Sequence, residues 1–186
     1  MFREIGHCED LSKIVSAIDN LTLDAWNQWS ELQELYRSKD TTLAYPLFFS
    51  KPTRENHYSV TIHNDGEVGA ACRDTIVSLE KLYNSKAISA VFSSLKERSN
   101  IPIHVDPEYK NIHRVHIPIK THKWVYMMDG KNKLYNWECG KIYELNATKP
   151  HAVINASRID RIHLCVDIPV GQAKKPIEYE TSKEFI

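Results

Sequence analysis

Residues 87–168 decide the fold, because short runs of β-branched and aromatic residues recur there between turn-forming residues. The runs are AISAVFSSL (87–95), IPIHV (101–105), HRVHIPI (113–119), KWVYMM (123–128), KLYNW (133–137), KIYEL (141–145), HAVINA (151–156) and RIHLCVDI (161–168). The segments MDGKNK (128–133) and ASRID (156–160) are typical of hairpin turns. About eight short strands at this spacing are typical of a β-sandwich or small barrel. We therefore predict a double-sheet jelly-roll core.

Upstream of this stretch, apolar residues recur at helical spacing. Two stripes show it: Leu11, Ile14, Val15 and Ile18, and then Trp26, Trp29, Leu32, Leu35 and Tyr36. We expect the first forty residues to be helical and residues 41–56, which contain two prolines, to be irregular. A strand is predicted over 57–63 and a helix over 74–83.

The predicted fold class is therefore α+β, with N-terminal helices packed on the sheet. We expect a single domain over residues 1–186. Residues 1–85 would form a mainly helical part, 86–170 the β core and 171–186 a C-terminal tail.

Composition excludes several classes of function. The chain has 24 basic and 24 acidic side chains, so its formal net charge is zero. A general nucleic-acid binder would carry a basic excess, and we expect no nucleic-acid partner. No apolar run approaches the ~20 residues that span a bilayer, and the first residues lack the apolar core of a signal peptide. These features predict a cytoplasmic protein without a membrane partner. They are silent on its oligomeric state.

Cysteine and asparagine patterns add little to this prediction. The four cysteines lie far apart without CxxC spacing, which predicts free thiols in a cytosolic protein. Three Asn-x-Ser/Thr sequons begin at Asn20, Asn146 and Asn155. Without a secretory route, we interpret all three as chance.

The first candidate for chemistry is the triplet His104-Val-Asp106. Residues two apart on a strand point to the same face, so the imidazole and the carboxylate can meet one ion. His151 stands at the head of a later strand. Two histidines and one carboxylate on one face of a metal leave three positions open, as in non-haem iron(II) oxygenases. A chance surface pair is the alternative interpretation of the triplet.

Two arginines extend this candidate site. If residues 156–160 form a turn, Arg161 returns on the strand beside that of His151 and points into the same cavity. A buried arginine next to iron needs an anionic partner, and 2-oxoglutarate is a dianion. The alternative is a surface ion pair with Asp160 or Asp167.

The strand HRVHIPI places Arg114 and His116 on one face and aliphatic side chains on the other. Such a strand suits the wall of a polar cavity. A solvated outer face is equally compatible with the pattern.

Six motifs follow one another in order through this region. They are AVFSSL (90–95), IPI with His104 (101–104), RVHIP (114–118), WECGK (137–141), HAVIN (151–155) and RIHLCVD (161–167). Their order and gaps resemble the aspartyl/asparaginyl β-hydroxylase domain. That domain is a cupin-like double-stranded β-helix among the iron(II)- and 2-oxoglutarate-dependent oxygenases. Each motif is weak by itself, whereas six in order are specific; the first 85 residues are not covered.

The resemblance implies a role for each matching residue at the metal. His104 and His151 would bind iron(II). The animal enzyme of the family has glycine where Asp106 stands, whereas relatives that resemble free-proline hydroxylases have the carboxylate. Asp106 would therefore complete the ligand set here. The same difference weakens the assignment of the animal enzyme's substrate to this chain.

The resemblance also implies a co-substrate site. Arg161 would hold the distal carboxylate of 2-oxoglutarate, and Ser93 would donate a hydrogen bond to it. Arg114 and His116 would face the carboxylate at the oxo end.

The expected function is that of an iron(II)- and 2-oxoglutarate-dependent dioxygenase that hydroxylates an unactivated C–H bond. The substrate expected first is an aspartyl or asparaginyl side chain in a peptide or protein, and a free amino acid is the alternative. A non-catalytic cupin-like module that keeps a metal or a sugar, or a cupin isomerase, would be a different class. Neither of these needs Arg161 together with Ser93.

Overall fold

The computed structural model describes residues 1–27, 40–52, 58–63 and 66–171. Its strands are β1 (Phe2–His7), β2 (Thr42–Pro52), β3 (Tyr58–His63), β4 (Ser89–Leu95), β5 (Ser99–His104), β6 (Ile112–Lys120), β7 (Val125–Asp129), β8 (Leu134–Tyr135), β9 (Lys141–Leu145), β10 (His151–Asn155) and β11 (Arg161–Pro169). Its helices are α1 (Leu11–Asp19), α2 (Leu23–Asn27), α3 (Glu67–Tyr83) and a 3₁₀ turn at Pro107–Asn111. Within these ranges, no helix is both long and apolar enough to cross a membrane.

The strands form two antiparallel sheets. The large sheet has the order β1-β9-β6-β11-β4-β2-β3, and the small sheet has the order β5-β10-β7-β8. Side chains from both sheets, including Leu95, Tyr143 and Val153, pack together between them. The predicted double-stranded β-helix core is confirmed.

Strand β11 lies inside the large sheet, and all nine of its residues are buried. Because successive side chains point to opposite faces, one face carries Ile162, Leu164, Val166 and Ile168, which join the main apolar cluster. The other face carries Arg161, His163, Cys165 and Asp167. A polar face is thus placed inside the barrel by a strand whose other face anchors it to the core.

The helices cover the outer face of the large sheet. Ile14 and Ile18 of α1 and Cys72 and Leu79 of α3 belong to the same apolar cluster as the aliphatic face of β11. Burying a side chain of this size contributes about 1.5–3 kcal/mol. The prediction that N-terminal helices pack on the sheet is confirmed.

One local prediction is wrong for most of its length. Residues 41–56 were expected to be irregular because of their prolines, but β2 runs through Thr42–Pro52 and pairs with both β4 and β3. Proline is tolerated because Pro46 stands where the β2–β4 register shifts, and Pro52 ends the strand. Partner strands, rather than local composition, decide the structure here.

Other boundaries near the N-terminus also differ. The first forty residues contain β1, which pairs with β9, in addition to α1 and α2. The part predicted as mainly helical thus supplies three strands of the large sheet, β1, β2 and β3. The strand predicted over 57–63 is present as β3, and the helix predicted over 74–83 begins earlier, at Glu67. The apolar stripe at residues 29–36 lies outside the described residues.

The turn between β10 and β11 is built on one buried side chain. Asn155 is 1% exposed, and its amide nitrogen donates to the main-chain oxygens of Leu95, Lys96 and Ile159 at 3.1, 3.0 and 2.9 Å. Its side-chain oxygen accepts hydrogen bonds from the main-chain nitrogen and the hydroxyl of Ser157 at 3.1 and 2.6 Å. These bonds fix the return of the chain that brings Arg161 next to β10.

We expect Asn155→Ala to lower the free energy of unfolding by about 2–4 kcal/mol, because it leaves several buried main-chain groups without partners. Urea denaturation followed by circular dichroism measures the loss. Asn146→Ala is the matched control, because Asn146 makes the same pair of bonds to Thr148 in an exposed turn. The control should lose less than about 1 kcal/mol. Equal losses in the two variants would contradict this account of the turn.

Candidate active site

The two histidines of the predicted ligand set meet across one pair of strands. His104 is the last residue of β5 and His151 is the first residue of β10, and the two are direct partners in the β5–β10 register. Their ring centroids lie 4.2 Å apart. Sheet pairing therefore brings together two residues that lie far apart in the sequence.

Asp106 follows β5 and completes the cluster. Its carboxylate oxygens lie 3.7 Å from His104 Nε2 and 3.8 Å from His151 Nε2. The three ligand atoms all lie within 4.8 Å of one another. The main-chain nitrogen of Asp106 donates to the carbonyl of Ala147 at 2.9 Å, which holds the residue beside the start of β10. This geometry can hold one metal ion.

The main chain selects the ring nitrogen that faces the cluster. His104 Nδ1 donates to the carbonyl of Pro102 at 2.7 Å, and His151 Nδ1 donates to the carbonyl of Lys149 at 2.9 Å. Each Nδ1 therefore carries the proton, and each Nε2 keeps its lone pair for a metal. Burial lowers the pKa of His151, which favours the neutral ring that a metal requires.

The cluster opens into a cavity of about 520 Å³ between the sheets. All seven residues predicted for the site line this cavity. They are Ser93, His104, Asp106, Arg114, His116, His151 and Arg161. Apolar side chains such as Ile101, Met127 and Val153 complete the wall. The structure thus brings together every residue that the sequence singled out.

Arg161 is a buried cation. It is 2% exposed, and among the described residues no carboxylate forms an ion pair with it. Burial lowers its pKa to about 10, so the guanidinium remains charged at neutral pH. Arg161 forms neither of the two alternative ion pairs, with Asp160 or with Asp167. Asp160 accepts a hydrogen bond from the main-chain nitrogen of Glu97, and Asp167 lies beside Arg114. A positive charge is therefore held in the cavity wall for an anion.

Ser93 also contacts Arg161 through its main chain. Arg161 Nη1 donates to the main-chain carbonyl of Ser93 at 3.5 Å. The side chain of Ser93 shares the inner face of β4 with Val91, and both residues line the cavity. The serine thus helps to orient the arginine through its backbone.

Arg114 and His116 face the cavity from β6, as one of the two alternatives predicted. The Arg114 guanidinium lies 4.0 Å from the centre of the Tyr109 ring and 3.9 Å from the carboxylate of Asp167. Burial lowers the pKa of His116 well below its usual value, so its ring is neutral. Its Nδ1 lies 3.4 Å from Cys165 Sγ.

Four further residues lie near this site and were not predicted as part of it: Tyr109, His163, Cys165 and Asp167. Asp167 was considered only as a surface partner of Arg161. Three of these lie on β11, where every second position from Arg161 to Asp167 is polar or cysteine. The sequence RIHLCVDI contains this alternation, because in a strand residues 161, 163, 165 and 167 share one face. Tyr109 comes from the 3₁₀ turn after Asp106, where no periodic signal exists.

Comparison with known proteins assigns the chain to a family. A model of the aspartyl/asparaginyl beta-hydroxylase family matches residues 12–169, which is most of the chain. The chain belongs to the aspartyl/asparaginyl beta-hydroxylase family. It is therefore a hydroxylase of the 2-oxoglutarate-dependent oxygenase class. A search of curated proteins finds no match.

Two solved structures share the fold over nearly the whole chain. An oxidoreductase of the 2OG-Fe(II) oxygenase family from Burkholderia pseudomallei is 8% identical, with a TM-score of 0.55 over 88% of this chain and 93% of that one. A prolyl-4-hydroxylase from Pseudomonas putida is 9% identical, with a TM-score of 0.54 over 91% of this chain and 92% of that one. At these identities the similarity shows the fold alone.

Asp106 provides a direct test of the metal cluster. We expect Asp106→Gly to weaken iron(II) binding by roughly 10- to 100-fold or more, because one of three candidate ligands is lost. Anaerobic titration with iron(II) measures the affinity. Glu108→Gln is a suitable control, because that exposed carboxylate lies at the cavity wall outside the cluster. Unchanged iron affinity in Asp106→Gly would show that Asp106 is not a ligand.

Proposed function

We propose that the chain is an iron(II)-dependent hydroxylase in which His104, Asp106 and His151 bind the metal and Arg161 binds 2-oxoglutarate. One observation carries the proposal: a buried guanidinium without a carboxylate partner among the described residues lines the same cavity as the His-Asp-His cluster. A metal cluster alone would suit many cupins. A metal cluster beside an uncompensated cation suits a metal together with an anionic co-substrate.

The donor set fits iron(II). Two imidazole nitrogens and one carboxylate are the donor set of non-haem iron(II) oxygenases, and His104, Asp106 and His151 would hold the metal and leave coordination positions for a co-substrate. The main-chain bonds of the two Nδ1 atoms hold both rings in place. Iron(II) bound here would supply the activation of dioxygen that couples substrate hydroxylation to the conversion of 2-oxoglutarate into succinate and carbon dioxide.

Arg161 fits the distal carboxylate of 2-oxoglutarate. Its planar fork can bind a carboxylate through two parallel hydrogen bonds, and its contact with the Ser93 carbonyl uses only one nitrogen. We propose that the Ser93 hydroxyl adds one further hydrogen bond from the neighbouring strand.

Arg114 and His116 are proposed to face the carboxylate at the oxo end. Asp167 and the ring of Tyr109 hold the Arg114 side chain in place. The neutral ring of His116 has a buried Nε2 that no described residue contacts by a hydrogen bond, and this atom is available to a ligand oxygen. The two residues would orient the co-substrate without neutralising the charge of Arg161.

For the substrate, we propose an aspartyl or asparaginyl side chain in a peptide or protein, following the family. A free amino acid is the second candidate, because Asp106 supplies a carboxylate ligand where the animal enzyme has glycine. The structural neighbour from Pseudomonas putida is a prolyl-4-hydroxylase, so proline belongs among the substrates to be tested. The compartment proposed is the cytoplasm, and no nucleic-acid or membrane partner is proposed.

Substitutions of Arg161 test the co-substrate site. Arg161→Ala should weaken 2-oxoglutarate binding by about 3–5 kcal/mol, because a buried charge-assisted pair loses one partner. Arg161→Lys keeps the charge but loses the fork, so its affinity should lie between those of wild type and Arg161→Ala. Ser93→Ala should cost only about 1–2 kcal/mol. Anaerobic titration of the iron(II) protein, followed by the visible metal-to-ligand charge-transfer band, gives all four affinities. Unchanged affinity in Arg161→Ala would exclude this assignment.

Turnover tests the activity itself. With iron(II), 2-oxoglutarate and oxygen, we expect slow formation of succinate even without substrate, because the open positions of the triad admit the co-substrate and oxygen. A true substrate should accelerate succinate formation and gain one oxygen atom, about 16 Da, by the same chemistry. Peptides with Asp or Asn should be compared with free proline, arginine, asparagine and lysine by mass spectrometry. A protein that binds iron fully and forms no succinate under any condition would be a non-catalytic cupin-like module.

A further inference from the structure

Three rings form a buried cluster inside the barrel, in which His116 lines the cavity and the other two do not. The ring centroids of His116, Trp137 and His163 lie 5.7, 5.9 and 5.9 Å from one another. The three side chains are 6%, 3% and 1% exposed. His163 does not line the cavity, so it lies behind the residues proposed to bind the co-substrate.

This cluster contains several polar atoms without partners. Both ring nitrogens of His163, Nε2 of His116 and Nε1 of Trp137 are buried and make no hydrogen bond among the described residues. Buried polar atoms nearly always have partners in proteins, because leaving one unpaired costs most of its desolvation penalty. An imidazole with two such atoms is the strongest anomaly of this kind in the described interior.

The sheet register places Arg161 beside His163. The two residues are two apart on β11 and share its inner face. In the β11–β4 register, His163 is the partner of Ser93, and the Arg161 guanidinium reaches the carbonyl of that serine. The guanidinium therefore turns along the strand toward His163. Arg161 Nε is itself buried without a partner.

Arg161 has a specific requirement at this position. A guanidinium has five N–H donors, and a carboxylate held by the fork uses two of them. The remaining donors need acceptors when the group is buried. An acidic acceptor would neutralise the arginine and remove the attraction for a dianion, so the acceptor must be neutral. A neutral imidazole meets this requirement, because one nitrogen keeps a lone pair.

We propose that His163 is a positioning residue for Arg161: the two side chains are not hydrogen-bonded in the described structure, and one His163 ring nitrogen accepts a hydrogen bond from Arg161 Nε–H when the fork binds the distal carboxylate of 2-oxoglutarate. This inference rests on the proposed function, because it assigns the partner of Arg161. Burial lowers the pKa of His163 well below its usual value, and the charge of Arg161 acts in the same direction. The ring therefore stays neutral and leaves the charge of Arg161 intact.

Four variants of the full chain test the proposal. His163→Phe keeps an aromatic ring but removes both nitrogens. His163→Gln and His163→Asn lose the ring but place a neutral amide oxygen near the positions of Nε2 and Nδ1. His7→Gln is the matched control, because His7 is exposed on β1 outside the cavity. Each protein is titrated with iron(II) alone and then, anaerobically and with iron bound, with 2-oxoglutarate.

We expect His163→Phe to lose about tenfold or more in 2-oxoglutarate affinity, as for one hydrogen bond to a charged group, with unchanged iron(II) affinity. At least one amide variant should recover to within about threefold of wild type by supplying the acceptor again. If His163 only fills space, His163→Phe should bind 2-oxoglutarate more tightly than either amide variant, because phenylalanine fills the space of the ring better than an amide does. Melting temperatures report whether each variant is folded.

Two outcomes would overturn the inference: wild-type affinity in His163→Phe, or amide variants that fold but bind no better than His163→Phe. Failure of the proposed function has a different signature. In that case wild type itself binds no 2-oxoglutarate, or Arg161→Ala binds it as tightly as wild type. The His163 series is interpreted only against a wild-type protein that shows the charge-transfer band.

Discussion

A β-strand that is buried on both faces must satisfy two environments with alternating side chains, and β11 is such a strand. Its aliphatic face packs under α1 and α3, while its polar face lines the interior of the barrel. The apolar burial on one side holds a charged arginine in place on the other, where water would otherwise compete for it. Strands β4 and β6 pair with β11 on either side and bring Ser93, Arg114 and His116 to the same interior. The candidate site therefore depends on the packing of the helices outside it.

Charge balance links the two halves of the proposed site. Asp167 lies beside Arg114 and offsets its charge, whereas Arg161 has no such neighbour among the described residues. Asp106 would offset one of the two charges of a bound iron(II). One charge on the metal and one on Arg161 then remain, which matches a dianion with a carboxylate at each end. Iron(II) with 2-oxoglutarate thus fits this barrel better than a metal alone or a neutral sugar.

The sequence predicts those parts of the fold and site that follow from local periodicity. Alternation in HRVHIPI and RIHLCVDI indicates which side chains face inward, and the spacing of His104 and Asp106 places both near one ion. The membership of β1 and β2 in the large sheet depends on the distant partners β9 and β4. Likewise, the contact of Arg161 with the main-chain carbonyl of Ser93 depends on how two strands meet. The buried surroundings of His163 depend on Trp137, which comes from a separate loop.

Asn155 bears on how the protein can be made. The sequence Asn155-Ala-Ser157 matches the acceptor pattern for N-linked sugar. In the folded protein the side-chain nitrogen of Asn155 makes three hydrogen bonds to main-chain oxygens in a closed turn. A sugar on that nitrogen would keep β10 and β11 from closing on each other, and Arg161 would not reach the cavity. Glycosylation of Asn155 is therefore incompatible with this turn, so an expression host that does not attach N-linked sugar to the chain suits the protein.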